Sequence, residues 1–344
     1  MFLPRTLVLI LTLGAGLWAG LATVAVAGPQ TRSFRDWQAV CDNGGDCFAF
    51  TGGDIGASAF VRIHMPAGPD ADPGVAVGAW GWGEALQFSL VIDGVPRSLD
   101  RAPMSEWAGV GELRGAPARE MITAMAAGRS MDLSIDGQGD DLSLSGVSAA
   151  LLWIDERQGR LRTTTALLRQ GPRPASEVPP APELPQIQIR PATISQFGGD
   201  NPPPLPESVA ARPEIAACRD GWEEPDADSY EPLHAELGPT TRLWGVQCFT
   251  AAYNTGHILF LTDHLGGQVR HLILPGADKP VAEFVNVEIG NTITQTVRAR
   301  GLGDCGLIQQ WRWARTGFEL ALEQRMDACV GMPPELWPTV WRTR

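Results

Sequence analysis

Apolar residues recur along this chain at two spacings, and each spacing predicts a type of element. Residues 59–65, 74–82 and 86–92 are short apolar or alternating runs bounded by Gly, Pro and Asp, which predicts strands. Pro117 suits a first helical turn, and Met121, Ile122, Met125 and Ala126 follow at helical spacing up to the stop at Gly128, so a helix is expected there. Residues 131–135 and 142–144 alternate on either side of Asp136-Gly137-Gln138-Gly139, the signature of a hairpin. Ala149, Ala150, Leu151, Trp153 and Ile154 place a second short helix over 147–157. The later part of the chain is patterned for strands: 243–249, 257–261, 269–274, 281–289, 292–297, 307–313 and 318–322, with Gly290-Asn291 as a turn.

Between these regions the composition changes. Twelve of the chain's 28 prolines lie between Gly171 and Pro213, including Pro179-Pro180 and Pro202-Pro203-Pro204. Such runs complete neither sheet ladders nor helix interiors and behave as semi-rigid spacers. The expected organisation is therefore an α+β, β-rich chain. An N-terminal α+β domain spans 28–170, a Pro-rich linker 171–213, and a mainly antiparallel β domain, sandwich or curved sheet, 214–344.

Residues 1–27 carry Arg5, an apolar stretch from Leu7 to Ala22, and Ala25-Val26-Ala27, the small-x-small pattern of a signal-peptidase site. Cleavage before Gly28 is expected, with an uncleaved anchor as the alternative; no later stretch is apolar enough to span, so the mature chain should have no stable membrane span. All six cysteines fall after that cut: Cys41, Cys47, Cys218, Cys248, Cys305 and Cys329. An even number in an exported chain points to disulfides and to a periplasmic or secreted location. Sequence proximity favours Cys41 with Cys47, Cys218 with Cys248, and Cys305 with Cys329. For the first pair, a three-residue loop at Asn43-Gly44-Gly45 supplies positive-φ positions and sets Cys41 opposite Cys47. Loop entropy assigns roughly 2.4 kcal/mol to the small ring and roughly 3.5 kcal/mol to each larger one.

With 44% apolar and 19% charged residues the chain has ordinary globular composition. Its net charge of −12 argues against a nucleic-acid partner, because that affinity rests on Lys and Arg neutralising phosphates. Among possible chemistries, Gly301-Leu302-Gly303-Asp304-Cys305-Gly306 fits a dinucleotide fingerprint by letter. A strand rather than a helix follows it, however, so a tight turn is the better reading and no cofactor is expected. Asp136, Asp140 and Asp141 lack the Gly and Glu of a calcium loop, and Glu223, Glu224, Asp226 and Asp228 read as a solvated acidic loop. His257, His264 and His271 recur at sevens across turn signals, and no zinc-ligand spacing occurs, so no metal is expected. Trp80 and Trp82, like Trp311 and Trp313, are spaced to share one strand face. The face Gln309, Trp311, Trp313, Arg315 is less apolar than a core face, which makes Trp311 and Trp313 a candidate ligand surface.

Several separated strings carry a family resemblance. They are Asp36-Trp37 leading to Cys41-Asp42-Asn43 and Cys47, the stretch 149–160 (AALLWIDERQGR), Leu243-Trp244 to Cys248 with Ala252-Tyr253-Asn254, and the stretch 300–306 (RGLGDCG). In this order they resemble the exported bacterial family called domain of unknown function 1176; the opening Trp-to-Cys-to-Cys segment is also similar to the invasion-associated locus B proteins. The resemblance implies a bacterial exported, periplasmic protein and supplies no catalytic residues. The function expected is a non-catalytic binding or envelope-associated module with an unidentified envelope ligand or protein as partner. The alternative is a periplasmic hydrolase whose triad is assembled only in space.

Overall fold

The computed structural model describes residues 29–53, 59–80, 88–101, 108–135, 138–190, 203–220, 232–277, 279–283, 285–288 and 292–344. In the first half, strands β1 to β5 are Gln30–Phe34, Trp37–Cys41, Cys47–Gly52, Ala59–Met65 and Gly74–Trp80. They are followed by β6 to β9 at Phe88–Ile92, Val95–Arg97, Asp100–Arg101 and Ala108–Arg114. Helix α1 (Gly115–Ala127), the hairpin β10 (Ser130–Ile135) and β11 (Gln138–Ser143), and helix α2 (Val147–Arg157) complete it. The large sheet is antiparallel in the order β1-β2-β3-β4-β5-β9-β8, and a second sheet runs β11-β10-β6-β7. The predicted helices stand where the apolar spacing put them. By contrast, β1 and β7–β9 were not anticipated, because strands such as Gln30–Phe34 are too polar to show a pattern.

Burial on both faces explains why β3 and β4 read as nearly continuous apolar runs. One face of the large sheet, with Ala39, Val61, Ile63, Val75 and Val77, packs on Met121, Ile122 and Met125 of α1 and on Ala150, Leu151 and Ile154 of α2. The opposite face offers Val40, Phe50, Phe60, Ala76 and Val110, which form one core with Met326, Met332, Trp337 and Val340 from the second half. This shared core follows from strand alternation, since residues of opposite parity on one strand reach different cores.

The second half opens with short helices α3 (Glu207–Ala210) and α4 (Pro213–Cys218). Strands β12 to β16 are Leu233–Glu236, Thr241–Thr250, Thr255–Asp263, Arg270–Leu272 and Val281–Glu283, and they form one five-stranded antiparallel sheet. A second such sheet holds β17 to β21: Val285–Glu288, Thr292–Arg298, Gly306–Trp313, Phe318–Met326 and Thr339–Arg342. Leu243, Leu259 and Leu261 from the first sheet and Ile293, Trp311 and Phe318 from the second share one core, so the sheets face each other. Trp244, Val246, Ile258 and Phe260, of the other parity, pack beneath Val209 of α3 and Ile215 of α4.

The disulfides join Cys41 to Cys47, Cys218 to Cys248 and Cys305 to Cys329, which leaves no free cysteine. Part of the proline-rich stretch is pinned rather than loose. Val178 and Ile187 are buried, the Ile187 amide donates to the Arg344 carbonyl, and the Arg344 amide donates to the Pro185 carbonyl. Farther on, the Arg190 amide donates to the Trp313 carbonyl and the Arg315 amide to that of Gln188. Polar ties join the halves as well: Asn43 Nδ2 donates to the Arg342 carbonyl at 2.9 Å, and the Arg342 amide donates back to Asn43 Oδ1 at 2.9 Å. Among the described residues no helix is long and apolar enough to cross a membrane.

Candidate functional site

Turn chemistry at the end of the β1–β2 hairpin builds one wall of a cleft. Arg35 sits at φ 54 in the two-residue turn between Phe34 and Trp37. This turn is tied to the segment that opens α2: the Asp36 amide donates to the Ser145 carbonyl, Trp37 Nε1 to the Ser143 carbonyl at 2.8 Å, and Ser143 Oγ to Asp36 Oδ2 at 2.6 Å. Gly146, at φ 111, precedes the helix; a Cβ there would lie 1.8 Å from the Phe34 carbonyl oxygen. Only glycine permits that approach, which seats the start of α2 against the end of β1.

The result is a cleft of about 480 Å³ between β1 and α2, within the range of ordinary ligand pockets. Phe34, Leu152, Trp153 and Leu161 make its floor, with the Phe34 and Trp153 rings 6.2 Å apart and tilted. Arg32, Arg162 and Arg169 stand exposed around it, and none has a carboxylate partner among the described residues. The Arg32 guanidinium lies 5.2 Å from the Phe34 ring centre, a cation–π contact. Arg162 is held at φ 61, a left-handed conformation that costs a non-glycine residue on the order of 1 kcal/mol. Glu156 is the one acidic residue in the lining.

The polar residues that follow α2 are committed to holding the scaffold. Asp155, fully buried, accepts the amides of Leu167 and Leu168, and burial raises its carboxyl above the usual range. Gln158 Nε2 donates to the carbonyls of Gly45 and Met65 at 2.8 Å each. Arg160, also fully buried, donates to Gln158 Oε1, Thr165 Oγ1 and the carbonyls of Pro66 and Gly68. Burial lowers its guanidinium to about 10, so it stays charged at neutral pH. Together these bonds fix the chain from 158 to 168, and with it the arginine side of the cleft.

A second charged cluster joins the Cys41–Cys47 hairpin to the last strand. Asp42 Oδ1 accepts the amides of Gly44 and Asp46 at 2.8 Å each, while its Oδ2 lies 2.6 Å from Arg342 Nε. Asp46 Oδ2 lies 3.0 Å from Arg342 Nη2 and 3.6 Å from His64 Nε2. Burial pushes the Asp42 carboxyl up to about 6 against the pull of Arg342. Asp46 feels burial too, but its bonds to His64 and the Ala67 amide, with Arg342 nearby, hold it below the ordinary value. This cluster ties two carboxylates to one guanidinium across the halves. Sequence reasoning missed it because Arg342 lies far along the chain from both acids.

The candidate ligand face at Trp311 and Trp313 requires correction. Both rings are buried, at 0% and 5% exposure, in the core between the two facing sheets. Of the polar neighbours that suggested an open face, Gln309 is satisfied internally, and Arg315 lies exposed beyond the end of β19. Gln309 Nε2 donates to Glu323 Oε2 at 2.8 Å and the buried Gln295 amide donates to Gln309 Oε1 at 3.2 Å, while Trp311 Nε1 donates to the Pro275 carbonyl at 2.7 Å. Trp82, Asp136 and the acidic run from Glu223 to Asp228 lie outside the described residues, as do residues 1–27. In the 301–306 stretch Asp304 receives Arg300 and the Gly331 amide, and strand β19 begins at Gly306. Asp304, Cys305 and Cys329 cluster in space, but the two sulfurs are bonded to each other. His257, His264 and His271 remain apart on β14, after it, and on β15.

The cleft residues missed by sequence reading carry one weak signal, the alternation of Arg32 and Phe34, which puts both on the α2 side of β1. No solved structure matches the chain. The uncharacterised protein YpfG of Escherichia coli K12 is 29% identical over 344 residues, covering 92% of this chain and 94% of its own length. A family model described as a protein of unknown function matches residues 31–344, and the chain therefore belongs to the DUF1176 family.

Proposed function

We propose that the protein is an exported, non-catalytic binding module of the bacterial envelope, and that its ligand is an anionic, partly apolar molecule held in the β1–α2 cleft. One observation carries this reading: three guanidiniums with no carboxylate partner among the described residues, Arg32, Arg162 and Arg169, surround an aromatic floor in a protein whose net charge is −12. A cation held beside apolar surface and left uncompensated supplies both affinity and sign selectivity for an anion. Three disulfides fit an oxidising compartment. Because every cysteine is bonded, a hydrolase reading would have to do without a thiol nucleophile.

Isothermal titration of the purified protein with decanoate, kept below its micelle concentration, tests this function. Saturable one-site binding is expected, weakened about tenfold or more in Arg162→Glu, with no uptake of decyltrimethylammonium. Equal binding of the anionic and cationic amphiphiles, or no saturable heat with decanoate, would overturn the reading.

A further inference from the structure

Resting on that cleft reading, we infer that the ligand is an extended acidic peptide that adds a strand to the free edge of β1. The large sheet ends at β1 on this side, with no further strand beside it among the described residues. Its central residues Thr31, Arg32 and Ser33 are all exposed. The hairpin turn decides which backbone groups are free. Phe34 and Trp37 flank a two-residue loop, so they form a bonded pair, and in an antiparallel ladder bonded pairs recur at every second residue. Arg32 with Ala39 and Gln30 with Cys41 are therefore the next bonded pairs, which leaves the amides and carbonyls of Thr31 and Ser33 pointing away from β2.

Those outward groups are a template for another strand, the mode of peptide capture in which main-chain bonds give affinity and alternate side chains give selectivity. A strand laid along this edge passes beside α2, so every second side chain of the peptide stands over Phe34, Leu152 and Trp153. Carboxylates on that peptide meet Arg32, Arg162 and Arg169, whose charge has no partner among the described residues. This complementarity selects an acidic peptide over a neutral one. An edge with these unpaired groups beside an unneutralised arginine rim is arranged for a ligand carrying both a backbone and negative charge.

The probe is a fluorescein-labelled octapeptide, Glu-Thr-Val-Thr-Glu-Thr-Val-Thr, whose glutamates and valines share one parity and so reach the arginines and the aromatic floor from the same face; binding is followed by anisotropy with the full protein. Two further versions carry N-methyl groups on the amides of one residue parity or the other, so that each blocks bonding along one edge of the peptide only. Binding is expected to fall about thirtyfold or more for one parity and to stay within about threefold for the other. In parallel, hydrogen exchange at the Thr31 and Ser33 amides should slow with the parent peptide and stay unchanged with decanoate. Equal effects of the two methylation patterns, whether none or complete, would overturn strand addition, as would unchanged exchange at Thr31 and Ser33. If decanoate binds and the peptide does not, the cleft reading stands and strand addition falls. Binding of neither removes both. Sedimentation showing a dimer that the peptide cannot dissociate would assign the edge to a second copy of the chain and overturn the inference.

Discussion

Gly52 offers a test of the core shared by the two halves in which even the sign of the effect is informative. It closes β3, pairs with Phe60, and has no left-handed φ, so alanine suits its local backbone. Taken within the first half, Gly52→Ala should be neutral or stabilising by about 0.4–1 kcal/mol, because alanine has less freedom to lose on folding. The second half reverses the expectation. A Cβ at this position would lie 2.4 Å from the Val330 carbonyl oxygen and 2.5 Å from Val330 Cβ, with the Ala59 carbonyl at 3.0 Å. Val330 has little room to move: it sits between the Cys305–Cys329 disulfide and the Gly331 amide, which donates to the buried Asp304 at 2.7 Å. Overpacking against such a wall costs about 1–3 kcal/mol, and more when the opposing atoms are backbone. Setting the upper end of that cost against the entropic gain gives an expected net loss of about 2 kcal/mol. Urea unfolding followed by far-ultraviolet circular dichroism and by tryptophan fluorescence measures it. Gly74→Ala, whose Cβ would meet only the Leu113 carbonyl at 3.7 Å, serves as the control and should cost nothing. A Gly52→Ala protein as stable as wild type would show that the halves do not press together at Val330.

Three further expectations concern the polar interior. The folded-state pKa of Asp42 is raised from 3.8 to about 6, so the stability this group contributes is complete below the unfolded value and is lost as the pH rises through about 6; the difference amounts to about 3 kcal/mol. Measured against Asp42→Asn in urea, wild type should lose most of that amount, about 2 kcal/mol of relative stability, between pH 4 and 7.5, and a flat or rising difference would contradict the assignment. Arg160→Met leaves the carbonyls of Pro66 and Gly68 without this donor in a buried site, and a loss of about 3–5 kcal/mol is expected in the same assay; a loss below about 1 kcal/mol would mean water replaces the guanidinium. Intact-mass analysis of the folded, unreduced protein after alkylation should show no added groups, and uptake of even one would count against three bridges.

Much of the fold was legible because its signal is local. The spacing of Met121, Ile122 and Met125 defined α1, and Trp153 with its apolar neighbours defined α2, since one buried stripe at helical period needs no knowledge of its partner. The Cys41–Cys47 hairpin was equally plain, as its loop residues dictate a backbone that brings the cysteines opposite one another. The candidate site was not legible in this way. The same alternation that correctly put Trp311 and Trp313 on one face gave no sign that a facing sheet covers it, because burial depends on residues distant in the chain. Gln309 and Arg315 suggested an open surface only while the partners of Gln309, Gln295 and Glu323, and the end of the strand before Arg315 were out of view.

Sequence alone determined part of the local geometry of this protein: where the two longer helices and the more apolar strands form, where glycines turn the chain, and which cysteines lie near enough to pair. Tertiary structure decided what those elements enclose. Phe34 and Trp153 are 119 positions apart and become one floor only when Gly146 lets α2 approach the end of β1. Arg342 meets Asp42 and Asp46 only because the last strand docks on the Cys41–Cys47 hairpin. The physical reason is that periodicity records which face of an element is apolar, whereas the identity of what covers that face is set by packing among segments whose order along the chain carries no trace of it.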